Sequence, residues 1–67
     1  MIVVMKVNSE QKEIEGVMSR IEEAGLSGHL SQGVERTVIG VVGQTYPELH
    51  DMLSVLPGVE EVVPPAD

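Results

Sequence analysis

The residues of this 67-residue chain whose types could do chemistry are two histidines, a set of alternating serines and several paired carboxylates. Ser27, His29 and Ser31 alternate with Gly28, Leu30 and Gln32. In an extended strand that period of two places the first three on one face and the second three on the other. If Leu30 faces a core, His29 and Ser31 point together to the opposite side. An imidazole beside a hydroxyl can hydrogen-bond a carboxylate or a phenol, and a protonated imidazole adds charge attraction. The same pattern also suits a water-exposed histidine on an edge strand.

The other candidates offer less. His50 follows Leu49 at the margin of an apolar helical stripe and reads as a surface residue. It is too far in sequence from His29 for the two to form a metal motif. Glu22-Glu23 and Glu60-Glu61 are adjacent pairs whose side chains diverge, so they lack the geometry of an acid/base dyad and read as solvated charge. No nucleophile, base and orienting group can be assembled, so no catalytic residue, metal ligand or cofactor is expected. With no cysteine there is neither a disulfide framework nor a thiolate metal site, a composition compatible with a cytoplasmic protein. Eleven acidic residues against four basic ones give a net charge of −7, which repels phosphate backbones and anionic membrane surfaces. Neither nucleic acid nor membrane is an expected partner. The apolar run from Met1 to Met5 is too short for a signal segment or a membrane span.

These side chains need a scaffold, and the length allows one small domain, since chains of this size bury only ~60% of their unfolded surface. At 42% hydrophobic the chain can collapse a core, and with one Tyr, no Phe and no Trp that core must be Val, Ile, Leu and Met. Ile2-Val3-Val4-Met5 reads as a central strand buried on both faces. Asn8 with Gln11 is a capping pair for a helix whose apolar positions are Ile14, Val17, Met18, Ile21 and Ala24, ending at Gly25. Gly16 falls on its polar side. A polar strand follows to Gln32, and Gly33-Val34-Glu35 suits a hairpin loop with the glycine in a left-handed conformation. The β-forming run Thr37 to Gly43 comes next. Thr45-Tyr46-Pro47-Glu48 matches a capping box that opens a second helix with apolar face Leu49, Met52, Leu53 and Leu56, stopped by Pro57-Gly58. Val59, Val62 and Val63 make a last strand, and Pro64-Pro65 ends pairing.

The order β-α-β-β-α-β with short connections predicts an α+β, ferredoxin-like split βαβ fold, a four-stranded antiparallel sheet with two helices on one face. The other face should then be polar at alternate positions, yet strand one offers Ile2 and Val4 on one side and Val3 and Met5 on the other. Strand three likewise offers Ile39 and Val41, or Val38 and Val42. An apolar uncovered sheet face marks an interaction surface, here a second copy or another domain. Val3, Met5, Ile39 and Val41 are taken as the partner-facing set.

Other users of this topology can be tested by residue. An RNA-binding version would carry aromatic platforms where this chain has Val, Ile and Met. A soft-metal carrier would need Cys-x-x-Cys, and an acylphosphatase-like enzyme an Arg-bearing phosphate cradle at Val7-Asn8-Ser9-Glu10. What remains is binding and regulation. The opening Met1-Ile2-Val3-Val4-Met5-Lys6, with Gly28-His29-Leu30-Ser31-Gln32-Gly33 running into Glu35-Arg36-Thr37-Val38-Ile39-Gly40-Val41-Val42-Gly43, resembles the N-terminal ferredoxin-like regulatory domain of 3-deoxy-7-phosphoheptulonate (DAHP) synthases. The likeness runs through nearly the whole chain.

That resemblance implies a regulatory domain over residues 1–63, with 64–67 beginning a linker to a catalytic (β/α)8 barrel absent from this chain. The parent would be a transferase at the head of the shikimate pathway, condensing phosphoenolpyruvate with erythrose 4-phosphate on a metal-dependent barrel. In regulated members such domains pair and bind an aromatic amino acid, Tyr or Phe, between them for feedback inhibition. The inhibitor-contacting His and Ser of the family fall on His29 and Ser31. The competing expectation is a constitutive assembly domain that glues subunits through its sheet and binds no small molecule.

Overall fold

The computed structural model describes residues 1–44 and 46–64. The elements run β1 (Ile2–Met5), α1 (Gln11–Glu23), β2 (Ser27–Gln32), β3 (Thr37–Val42), α2 (Pro47–Ser54) and β4 (Val59–Val63). All pairings are antiparallel and the sheet order is β2-β3-β1-β4, so the two most apolar strands lie inside and the polar β2 forms an edge. This is the split βαβ arrangement expected from the sequence.

The core lies between the sheet and both helices. Ile14, Val17 and Ile21 of α1 and Leu49 and Leu53 of α2 cover Val3 and Met5, Ile39 and Val41, and Val59 and Val62. Helix α1 begins two residues later than the Asn8–Gln11 pairing predicts. Glu10 is its N-cap, and the Glu13 carboxylate accepts the Glu10 N–H at 2.8 Å. The Glu10 side chain in turn accepts the Glu13 N–H, so the capping box is Glu10 with Glu13 in place of Asn8 with Gln11. Helix α2 begins at Pro47 with Tyr46 as N-cap; the Thr45 half of the expected capping box lies outside the described residues.

The end of α1 sets where the site strand starts. Gly25 takes a left-handed φ of 82°, its N–H bonds the Glu22 carbonyl at 3.0 Å, and the Leu26 N–H bonds the Ile21 carbonyl at 3.1 Å. This is a Schellman turn, which closes the helix and folds the following apolar residue onto it. Leu26 enters the core and β2 begins at Ser27. In β2, Gly28 admits α1 closely, since a Cβ there would lie 2.8 Å from Met18 Sδ.

The hairpin loop after Gln32 differs from expectation in its glycine. Gly33 is absent from the positive-φ glycines, which are Gly25, Gly43 and Gly58. Its N–H instead bonds the Arg36 carbonyl at 2.9 Å, and an added Cβ would sit 2.9 Å from that oxygen. The requirement is close approach of two backbones, which a side chain would block.

The last strand carries an irregularity that periodicity did not reveal. Val59 and Val62 are three apart yet both buried, which strict alternation forbids. The register shifts between Val4 and Met5, which pair with Glu61 and Val59, leaving Glu60 as the extra residue. Such a bulge restores parity. Glu60 then forms an ion pair with Arg36 across the end of β1.

Candidate ligand and partner surface

The register turns the uncovered face of the sheet into two cross-strand rows. His29 pairs with Gly40, Gly40 with Ile2 and Ile2 with Val63; Ser31 pairs with Val38, Val38 with Val4 and Val4 with Glu61. Directly opposed residues on antiparallel strands share a face. Leu30 pairs with Ile39, which is fully buried under the helices, so His29 and Ser31 lie on the uncovered side as their alternation requires. Both are exposed, and neither side chain makes a hydrogen bond among the described residues.

The neighbours of these two polar groups are apolar. Ile2, Val42 and Val63 are 44%, 56% and 39% exposed on this face, with Val4 and Val38 half-buried between them. In the middle lies Gly40. Pairing continues through it on both sides, its φ is not positive, and a Cβ there would meet only the His29 carbonyl oxygen, at 3.9 Å. The fold therefore makes no demand for glycine, which inside a strand sacrifices packing. Its effect is to bare the backbone between His29 and Ile2, a notch with an imidazole on one wall and aliphatic carbons on the other.

The partner-facing set taken from the sequence needs correction. Val3, Met5 and Ile39 are fully buried and Val41 is 7% exposed, all beneath α1 and α2. The uncovered set is Ile2, Val4, Val38 and Val42, joined by Val63. Two equally apolar faces give periodicity no preference, and the mistake follows from that. The missing signal was the hairpin: once Leu30 is placed against the helices, the Gly33–Arg36 loop puts Ile39 opposite it and Val41 on the same side. Gly40 and Glu61 belong to the same face and were overlooked because neither type signals a site by itself.

The remaining candidates are structural. His50, half-buried on α2, has Nε2 3.2 Å from the Val62 carbonyl oxygen and Nδ1 3.4 Å from Asp51 Oδ1, which ties the helix to the edge strand. Glu22 and Glu23 are solvated on α1. Among the described residues there is no cluster of three or more His, Cys, Asp or Glu able to hold a metal ion, and no helix long and apolar enough to cross a membrane.

A sheet in the order β2-β3-β1-β4 with two helices on one face and a polar edge strand beside an apolar uncovered surface defines a ferredoxin-like α+β domain. Within that class the model of one family, the DAHP synthase ferredoxin-like domain, matches residues 1–64, and the chain belongs to that family. It is 41% identical over 63 residues to a phospho-2-dehydro-3-deoxyheptonate aldolase of Thermotoga maritima, a match covering 94% of this chain and 19% of that protein. The crystal structure of the Thermotoga maritima phospho-2-dehydro-3-deoxyheptonate aldolase (DAHP synthase) superimposes with a TM-score of 0.82 at 38% identity, over 90% of this chain and 18% of that one. The chain thus spans about a fifth of the length of the relatives it matches.

Proposed function

We propose that this chain is the allosteric regulatory domain of a cytoplasmic DAHP synthase, pairing with a second copy of itself and binding an aromatic amino acid, Tyr or Phe, for feedback inhibition at the entry to the shikimate pathway. The observation that carries this reading is the placement of His29 and Ser31, exposed and unbonded, beside the Gly40 notch in an otherwise apolar face. In this reading the imidazole and hydroxyl hydrogen-bond the polar groups of the amino acid, while the ring lies over the bare Gly40 backbone against Ile2, Val38 and Val42. A second copy covers the remaining apolar surface. Catalysis belongs to a (β/α)8 barrel elsewhere in the parent, and the domain acts on it only by its position.

A ligand shifts an equilibrium by no more than its differential affinity for the two states. The domain alone should therefore bind weakly and pair more strongly with ligand present. Titration of the chain with L-tyrosine and L-phenylalanine, followed by backbone amide shifts and sedimentation, tests this. The expected result is shifts centred on β2 and β3 with a rise in the paired species, both lost in His29→Ala. Absence of any response at millimolar ligand rejects the regulatory reading, and pairing that is independent of ligand and of His29 favours a constitutive assembly domain.

A further inference from the structure

The two edges of the sheet are finished differently. At the β4 edge the Val62 carbonyl is taken by His50 Nε2 at 3.2 Å, and the bulge at Glu60 breaks the ladder. Bulges and covered backbone groups keep an edge strand from pairing with another chain. The β2 edge has neither. The Gly33 N–H bonds the Arg36 carbonyl, so alternation gives Ser31 and His29 the bonds to β3 and turns the N–H and C=O groups of Gly28, Leu30 and Gln32 outward. The N–H of Val41, which stands opposite Gly28, bonds the Met1 carbonyl on the far side, as this alternation requires. Among the described residues no side chain bonds the outward groups of β2.

One flank of α1 overlooks that edge. Met18 is set over β2, its Sδ 2.8 Å from where a Gly28 Cβ would lie, while Glu13 on the opposite flank stands against Gly58 ahead of β4. Helical spacing puts Glu15 and Glu22, three residues before Met18 and four after it, on the β2 flank. Both are exposed, and neither joins an ion pair among the described residues. Leu30, 42% exposed, lies on the same side of the sheet. The edge therefore runs along a shallow channel with unused backbone donors and acceptors, apolar side chains at its middle and a carboxylate toward each end.

We propose that the β2 edge is a docking site for an extended peptide strand of a separate polypeptide, apolar at its centre and basic two residues to either side. The strand adds to the sheet through backbone hydrogen bonds to Gly28, Leu30 and Gln32. Its central side chain meets Met18 and Leu30, and its two cations meet Glu15 and Glu22. Charge selects this occupant over a second copy. Pairing β2 with the partner's β2 would set the two α1 flanks and their carboxylates side by side, in chains that already carry −7 each. The edge is separate from the uncovered face, so the proposal stands independently of the regulatory reading.

The test is titration of the whole chain, at low salt, with the acetylated and amidated peptide Thr-Lys-Thr-Val-Thr-Lys-Thr, read by amide shifts and hydrogen exchange. With the peptide bound, exchange at the Gly28, Leu30 and Gln32 amides should slow by at least about tenfold. Glu15→Gln combined with Glu22→Gln, both at exposed helix positions, should weaken binding by about fivefold or more. Methylating the valine nitrogen of the peptide removes the donor to Leu30 and should weaken binding by about tenfold. Equal binding of the methylated peptide, equal binding of Thr-Glu-Thr-Val-Thr-Glu-Thr, or no protection at the three amides overturns the proposal. So does protection of those amides in the peptide-free chain that grows with protein concentration, which assigns the edge to a second copy.

Discussion

Gly40 shows how a single missing side chain can shape the proposed site. Its neighbours in the row, His29 and Ile2, are fixed by unbroken pairing, and nothing in the fold fills the space above its backbone. Replacing it by valine adds a β-branched side chain to the centre of a regular strand, where such residues are favoured by up to ~1 kcal/mol. Gly40→Val should thus hold or raise the urea midpoint of the chain. The same substitution fills the notch beside His29, so the response of the amide spectrum to L-tyrosine and L-phenylalanine should fall by about tenfold or more, equivalent to ~1.4 kcal/mol. Unchanged titration curves with a valine at this position would place the ring elsewhere on the face. The side of the sheet taken by His29 and Ser31 was legible from alternation, because polar residues at every second position of a strand leave little choice of side. Gly40 was not legible, since its importance comes from what stands opposite it on two other strands.

At the scale of elements, the strands and helices were readable because each has its own period and its own stop. The turns between them were read by residue type with less success. Glycine illustrates the difference: Gly16 in α1 has nothing within 4 Å of an added Cβ, whereas Gly43 has φ 133° and a would-be Cβ 2.3 Å from Leu26 Cδ2. Gly16→Ala should stabilise the chain by about 0.5–1 kcal/mol through helix propensity. Gly43→Ala combines a strained backbone with displacement of a core side chain and should cost ~1–3 kcal/mol. Thermal or urea unfolding of the two variants checks both signs, and equal effects would show that the β3 end is looser than its contact with Leu26 indicates. The bulge at Glu60 lies between these cases. Its trace was present in the sequence as two valines three apart in one strand, both apolar, which regular alternation cannot bury together. The choice of covered face failed for a related reason: it depends on how three strands align, and Val3 with Met5 reads the same as Ile2 with Val4 until the hairpin register is imposed.

For the whole molecule the deciding balance is between an apolar uncovered face and a large negative charge. The helices bury one side of the sheet, and the other leaves Ile2, Val42 and Val63 substantially in water, an arrangement that favours pairing by removing apolar surface from solvent. Opposing it, each chain carries −7, and bringing two copies together doubles that charge in a small volume. Salt separates the two effects. Between about 0.01 M and about 1 M the Debye length falls from ~30 Å to ~3 Å, which removes most repulsion between exposed charges and leaves apolar contact intact. Without ligand, the paired fraction measured by sedimentation should therefore rise with sodium chloride over that range. Glu61→Gln should start from a higher value and rise less, because one of the opposing charges sits on the face itself. A paired fraction that falls as salt is added would mean that ion pairs, not the apolar face, hold the copies together, and would move the interface away from the uncovered side of the sheet.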